Sequence, residues 1–197
     1  MGVEDPSVKG AIPSRHLEIL RSLIGVGITD VTRYSWCPPE QAGYEYGVSS
    51  RDVFSLTAGP VAFTFDSGLI LGVASDPSLN SVLLWVEKSA EGQLTRHEPL
   101  STDEELYPVS ATDSTFASDF WRQLIGAKVN AVSILLRAPE SARLAELPNE
   151  VGLCFDLGSG IKVVAAHGLH DDSDDFAIIP YQLIMDGIRS GIDEVVI

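Results

Sequence analysis

The densest run of side chains able to do chemistry is His167, His170, Asp171, Asp172, Asp174 and Asp175. Imidazoles three apart followed by carboxylates can hold a divalent ion. Zinc sites, however, draw ligands from more than one element, and no second cluster accompanies this run. The expectation is a solvated acidic loop with no metal and no other cofactor; were an ion held, His167, His170 and Asp172 would hold it. Asp66 and Asp156 recur in one context, Phe-Asp-x-Gly, and paired carboxylates invite an acid-base reading. The turn explains them without catalysis, because Asp caps it and Gly supplies a positive φ. Gly158-Ser159-Gly160 joins two strands and opens no helix, so it is not a phosphate cradle. Nucleophile motifs and a dinucleotide fingerprint are absent. No catalytic residue is assigned, and the chain reads as a non-enzyme.

A different chemistry, recognition, is carried by residues 34–47. Tyr34, Trp36, Tyr44 and Tyr46 are interleaved there with Glu40, Glu45, Pro38 and Pro39. Tyr and Trp give large contact area at low entropic cost, and carboxylates select a basic partner. Tyr34, Trp36, Glu40, Tyr44, Glu45 and Tyr46 are therefore the expected partner-binding residues. A second reading stays open for the first pair: Tyr34 and Trp36 continue an alternating strand into the core, and only Tyr44 and Tyr46 are exposed.

The elements that position these groups look duplicated. Leu23-Ile24-Gly25 is followed by Ile28 and Val31, and Leu124-Ile125-Gly126 by Val129 and Val132 at the same spacing. Val61-x-Phe63-x-Phe65-Asp66-x-Gly68 likewise returns as Val151-x-Leu153-x-Phe155-Asp156-x-Gly158. An alternating run ending in Asp-x-Gly is a strand meeting a tight turn, with residues 69–73 and 161–164 as the return strands. Strands over 81–86 and 176–179 follow. Ahead of each copy the spacing predicts an amphipathic helix: one capped by Ser14 and closed by Gly25, the other opening at Asp113-Ser114, carrying Phe116, Phe120 and Leu124, and closed by Gly126. After Tyr181 a short helix runs through Met185, Gly187 and Gly191 break it, and residues 194–197 form a last strand. The fold class is α+β, mostly antiparallel β, with a helix-strand-hairpin unit duplicated about an approximate two-fold. Residues 1–12 read as a loose tail, 13–87 as the first repeat, 88–112 as a connector and 113–197 as the second repeat, all in one compact two-lobed unit. The copies differ most between first strand and hairpin. Residues 32–60 fill that interval in copy one and include the aromatic insert; residues 133–150 fill it in copy two and contain no aromatic.

Composition bounds the function. Lys and Arg number 13 against 28 Asp and Glu, a formal net charge of −15 with no basic cluster. A surface that tracks phosphates has no material to be built from, which argues against nucleic acid, and the same charge disfavours anionic membranes while steering cationic partners inward. No apolar run reaches bilayer length, and residues 1–13 carry Glu4 and Asp5 where a leader would be apolar. Cys37 and Cys154 lack paired spacing, which fits a reducing cytoplasm.

The repeated grammar, Leu-x-Gly followed by apolar-x-Phe-Asp-x-Gly-x-apolar over residues 14–87 and 114–180, resembles that of small β-rich bacterial domains, among them immunity proteins that neutralise polymorphic toxins. The resemblance implies a cytoplasmic bacterial protein that acts by binding, and it transfers no catalytic residue. The first expectation is thus a non-enzymatic protein-binding module, an immunity-type inhibitor of a basic toxin or effector. Two alternatives are carried: a structural or assembly protein with a ligand or peptide groove between the repeats, and a divalent-metal enzyme using residues 167–175.

Overall fold

The computed structural model describes residues 10–95, 98–171 and 175–197. Two antiparallel sheets of five strands make up most of the molecule. The first contains β1 (Ile28–Ser35), β2 (Val61–Phe65), β3 (Ile70–Asp76), β4 (Ser81–Lys88) and β5 (Tyr107–Ser110), in the order β4-β3-β2-β1-β5. The second contains β6 (Ala131–Arg137), β7 (Glu150–Asp156), β8 (Lys162–His167), β9 (Phe176–Pro180) and β10 (Ile192–Val196), in the order β10-β6-β7-β8-β9. Each sheet is a four-strand meander with its fifth strand added beside the first. Helices are few and short: α1 (Leu17–Ser22), α2 (Pro39–Glu45), α3 (Val53–Leu56) and α4 (Asp186–Arg189). Among the described residues no helix is long and apolar enough to cross a membrane.

The two Leu-Ile-Gly words meet at the centre. Gly25 N–H donates to Val129 O and Gly126 N–H donates to Ile28 O, each at 2.7 Å. Ile28 N–H donates to Ala127 O and Val129 N–H to Val26 O, each at 2.9 Å, around an antiparallel bridge between Gly27 and Lys128. The bonds are reciprocal: what one word gives, it receives from equivalent positions of the other. Both glycines stand at positive φ, 85° and 83°, which lets the chain turn out of the helix or turn before it and into this bridge.

Alternation then sends Val61, Phe63 and Phe65 of β2 and Leu153 and Phe155 of β7 into one core shared by both sheets, with the Phe63 and Phe155 rings 4.9 Å apart. Val151 breaks the alternation expected of it. Leu135 pairs with Gly152 and Leu136 with Glu150, so Val151 is the extra residue of a bulge and joins the opposite face with Cys154, Val164 and Ile179. That face is covered by Ile184 and Ile188, which leaves β7, β8 and β9 buried on both sides, while β10 at the edge stays exposed. On the outer face of the first sheet Trp85 lies across Gly72, where a Cβ would stand 2.2 Å from the indole, and it packs with Leu100 and Tyr34.

Several local expectations are corrected. The first helix begins at Leu17 with His16 at its cap; Ser14 lies in a preceding 3-10 turn, and its N–H donates to the Glu150 carboxylate at 2.8 Å. The second helix does not form. Asp113 Oδ1 accepts from the N–H groups of Thr115 and Phe116, and the Phe116 carbonyl accepts from Phe54 N–H at 2.9 Å, which takes it away from an i to i+4 bond. Only a 3-10 turn over Trp121–Leu124 remains. Gly187 lies inside α4, the stretch after Tyr181 is a 3-10 turn over Tyr181–Leu183, and the last strand starts earlier, at Ile192. The segment 88–112 contributes β5 to the first sheet. Of the tail, residues 1–9 lie outside the described residues, and Ala11 forms a bridge with Leu84 of β4.

Two consequences follow for the core. Phe65→Ala should lower stability by about 3 to 5 kcal/mol, the cost of removing a buried aromatic ring; a loss under about 1 kcal/mol in denaturant melts would contradict its burial. Burial, with a smaller contribution from Glu194, pushes the Cys154 thiol up to about 12. Iodoacetamide at pH 8 should therefore alkylate the part-exposed Cys37 and spare Cys154 until denaturant is added, as peptide mass mapping would show.

Candidate functional site

The aromatic insert between β1 and β2 is helical. After β1 the chain passes Trp36, forms α2, a 3-10 turn over Ser50–Asp52 and α3, and enters β2 through Gly59-Pro60. One side chain holds this excursion against the sheets. Arg33, on the inward face of β1 with Val31 and Ser35, is fully buried. Its Nε donates to Phe54 O at 3.0 Å, Nη2 to Ser55 O at 2.9 Å and Nη1 to Gly59 O at 2.7 Å. Its guanidinium also lies 5.1 Å from the centroid of the Phe176 ring, at the start of β9. Burial pulls its pKa down to about 9, which leaves it charged at neutral pH. The chemistry suits the place. A four-residue helix cannot satisfy its own last carbonyls, and a fork of donors at the negative end of its dipole can. Val53 O is taken by the Thr57 hydroxyl at 2.7 Å. Gly59 is required beside the fork, because its φ is 120° and a Cβ there would meet Tyr34 O at 1.9 Å.

The expected binding residues divide. Trp36 is 66% exposed and Tyr44 is 90% exposed, while Glu40, Glu45 and Tyr46 are exposed to lesser or unequal degree on or just after α2. Tyr34 is half-buried against Trp85 and Leu100, and burial, then Glu87 and Asp30, raises the pKa of its phenol. Tyr34 continues β1 but lies half-buried on its outer face and not in the core with Val31, whereas Trp36 leaves the sheet because β1 ends at Ser35.

The insert and the His-Asp run, separate in the sequence, share walls in space. A concavity of about 240 Å³ is lined by Tyr46, Gly47, Val48 and Leu56 from the insert and by His170, Asp171, Asp175 and Phe176 from the other half. A second, about 350 Å³, lies between Trp36, Gly59, Pro60, Ala74 and Pro77 on one side and Asp175 and Phe176 on the other. Burial first, then Cys37 and Asp175, raises the pKa of the Tyr46 phenol, so it stays a neutral hydrogen-bonding group at physiological pH. A third concavity, about 600 Å³, shares Trp36, Pro60 and Ala74 with the second and adds Trp85, Leu100, Asp103, Glu105 and Leu106. Among the described residues none of these walls contains Lys or Arg. Sequence reasoning missed Arg33 and the placement of Asp175 in walls shared with the insert. The first was signalled by a charge at an inward position of β1, between Val31 and Ser35.

His167 is buried in β8, His170 is half-exposed, and no group of three His, Cys, Asp or Glu residues able to hold an ion occurs among the described residues. Asp172 and Asp174 lie outside them. Asp156 Oδ1 caps its turn by accepting from Gly158 N–H at 2.8 Å, whereas Asp66 donates its own N–H to Gly27 O at 2.9 Å. No family model matches the chain, and neither a curated protein nor a solved structure matches it significantly.

Arg33→Met should cost about 3 kcal/mol or more, because three buried carbonyls lose their donors at about 1 to 3 kcal/mol each. Amide exchange should rise first over residues 53–60 and only later in β2 and β3. A variant within about 1 kcal/mol of wild type, with exchange unchanged over 53–60, would remove Arg33 from this role.

Proposed function

We propose that the chain is a non-enzymatic protein-binding module, and that the face built by its aromatic insert meets a basic partner. The observation that carries this reading is the convergence of exposed Trp36 and Tyr46 with Asp171 and Asp175, from opposite halves, on concave walls without a Lys or Arg among the described residues. Exposed aromatic rings framed by carboxylates are anchors for a partner, and a net charge of −15 steers a basic one toward them. An immunity-type inhibitor of a basic toxin or effector, cytoplasmic and bacterial, is the specific form of this reading. The halves are proposed to be duplicates about an approximate two-fold, supported by their common strand order and the reciprocal bonds of their Leu-Ile-Gly words. On that view the insert is what one copy added for binding.

A second reading has its own observation. The cleft of about 350 Å³ is walled by both halves and mostly apolar, which is the groove that an assembly protein holding a peptide would need.

The test starts with affinity purification from the native host, identification of what co-elutes, and titration of that protein. Replacing Tyr44 and Tyr46 together by Ala should leave the melting temperature within a few degrees of wild type, since exposed side chains contribute little stability. Affinity for the partner should fall by at least about 2 kcal/mol, the scale of an aromatic hot spot. Reversing the charges of Glu40 and Glu45 should slow association and flatten its salt dependence. A double tyrosine variant that binds as tightly as wild type defeats the reading.

A further inference from the structure

We infer that the open edge of the second sheet, β10, takes an extended basic segment of a partner protein as an added strand. Four strands bound the two sheets, and three of them are closed. Ala11 exchanges backbone bonds with Leu84 of β4, donating at 3.0 Å and accepting at 2.8 Å, and a bridge between Lys88 and Leu94 covers the end of that strand. On β5 the outward positions are Pro108, which has no N–H, and Ser110, whose carbonyl accepts from Asp113 N–H at 3.0 Å. β9 is covered by α3. Edges are blunted by such covers, or by Lys, Pro or a bulge, because unpaired backbone groups recruit other chains. β10 has no Lys, Pro or bulge. Its residues from Ile192 to Val196 pair with β6 without a break, and nothing among the described residues pairs with its other side.

The phase of the ladder shows which groups do the recruiting. Ala138 N–H donates to Gly191 O and Ile197 N–H to Val132 O, each at 2.9 Å, so the odd-numbered residues of β10 bond to β6. The N–H and carbonyl groups of Ile192, Glu194 and Val196 therefore point away from the sheet. The template is held in place. One oxygen of the Glu194 carboxylate accepts from Ser133 Oγ at 2.8 Å and Lys162 Nζ at 3.3 Å, and the other from the Tyr181 hydroxyl at 3.4 Å. Side chains then select the occupant. Val195 and Val196, 46% and 66% exposed, favour apolar residues across from them. Asp193 is exposed and has no ion pair among the described residues, and the residue opposite it on an antiparallel strand would stand with its Cβ about 4.5 to 5.5 Å away, within reach of a lysine or arginine. A second copy fits less well, because antiparallel pairing over Ile192–Val196 stacks Glu194 on its own copy and each chain brings a net charge of −15. The segment that fits reads apolar-apolar-x-basic opposite Val196, Val195, Glu194 and Asp193. It would occupy the edge across the second sheet from β9, apart from the insert face.

The whole protein, labelled with nitrogen-15, is titrated at physiological salt with the peptide acetyl-Thr-Val-Val-Thr-Lys-Val-Thr-amide, and in parallel with the same peptide carrying Glu in place of Lys. The lysine peptide should shift the amides of Ile192, Glu194 and Val196 saturably and slow their exchange with solvent, while those of Asp193 and Val195, already bonded to β6, change less. It should bind at least about threefold more tightly than the glutamate peptide, and Asp193→Asn should remove most of that preference. Val196→Pro takes away an outward N–H that the ladder to β6 does not use, so it should abolish binding while the amides of β7 and β8 keep their positions. If that variant does not fold, a lysine peptide N-methylated at the residues opposite Glu194 and Val196 makes the same cut from the other side, and it should not bind the wild type. Equal binding of the lysine and glutamate peptides, unchanged binding by Val196→Pro or of the N-methylated peptide, or no saturable shift at millimolar peptide would each overturn the proposal. So would slow exchange of the Ile192, Glu194 and Val196 amides in the free monomer, which would show the edge filled by the chain itself. A dimer in sedimentation that Val196→Pro dissociates would overturn it too, by making the occupant a second copy.

Discussion

A buried guanidinium, bonded among the described residues to backbone carbonyls and to no carboxylate, organises the half of the molecule that carries the candidate site. Removing a charge from water is costly, and an ion pair is the usual remedy. Arg33 uses backbone instead: the carbonyls of Phe54, Ser55 and Gly59, and the face of Phe176. Each of those carbonyls belongs to a segment too short to satisfy itself, so the desolvation cost of the cation and that of the orphan acceptors offset one another. The position equivalent to Arg33 in the second half, counted from the Leu-Ile-Gly word, is Ile134, and no insert needs holding there. The buried charge and the aromatic excursion are one device.

That device sits on a scaffold whose halves could not stand alone easily. A five-stranded sheet has one face to hide, and fewer than a hundred residues bury too little of it unaided. Packing the sheets face to face gives Phe63, Phe65, Leu153 and Phe155 a common core, and the bridge between Gly27 and Lys128 fixes the register of one half against the other. Further ties cross the same boundary. Asn80 Nδ2 donates to Asn149 Oδ1 at 2.7 Å, and Glu150 N–H donates to Ser81 Oγ at 2.9 Å, so the turn after β3 is tied to the entry of β7. These ties oppose sliding of one sheet over the other, which would alter the concave walls shared by the insert and β9.

Strands were legible in the sequence because their signal is local: alternation ending in Asp-x-Gly marks β2, β3, β7 and β8, and the shared grammar of the two halves marks β1 and β6. Helices were legible only in part, since their hydrogen bonds can be taken by others. The Phe116, Phe120 and Leu124 spacing is helical, yet the Phe116 carbonyl goes to Phe54, which lies far away in the chain and could not be foreseen from the pattern. Bulges are likewise set by pairing, so Val151 changed faces without any mark in its own sequence. The candidate site was half visible. Its aromatic residues stood out by composition, whereas their proximity to Asp175 and Phe176 depends on which strands become neighbours of the insert.

The placement of the insert follows from that topology. It leaves the first sheet between β1 and β2, at the end of the strands where Phe176 opens β9, so α3 packs onto β9 and the excursion bridges the two sheets. Its helices also carry Tyr44 outward, while Arg33 holds their C-terminal neighbour inward. Exposure and anchoring therefore fall on different residues of one segment: exposed rings at 36, 44 and 46, and buried anchors at 33, 54 and 59. A surface built this way can change its exposed residues without disturbing the fork that holds the segment, because the anchoring bonds of Arg33 run to backbone carbonyls and not to the exposed side chains.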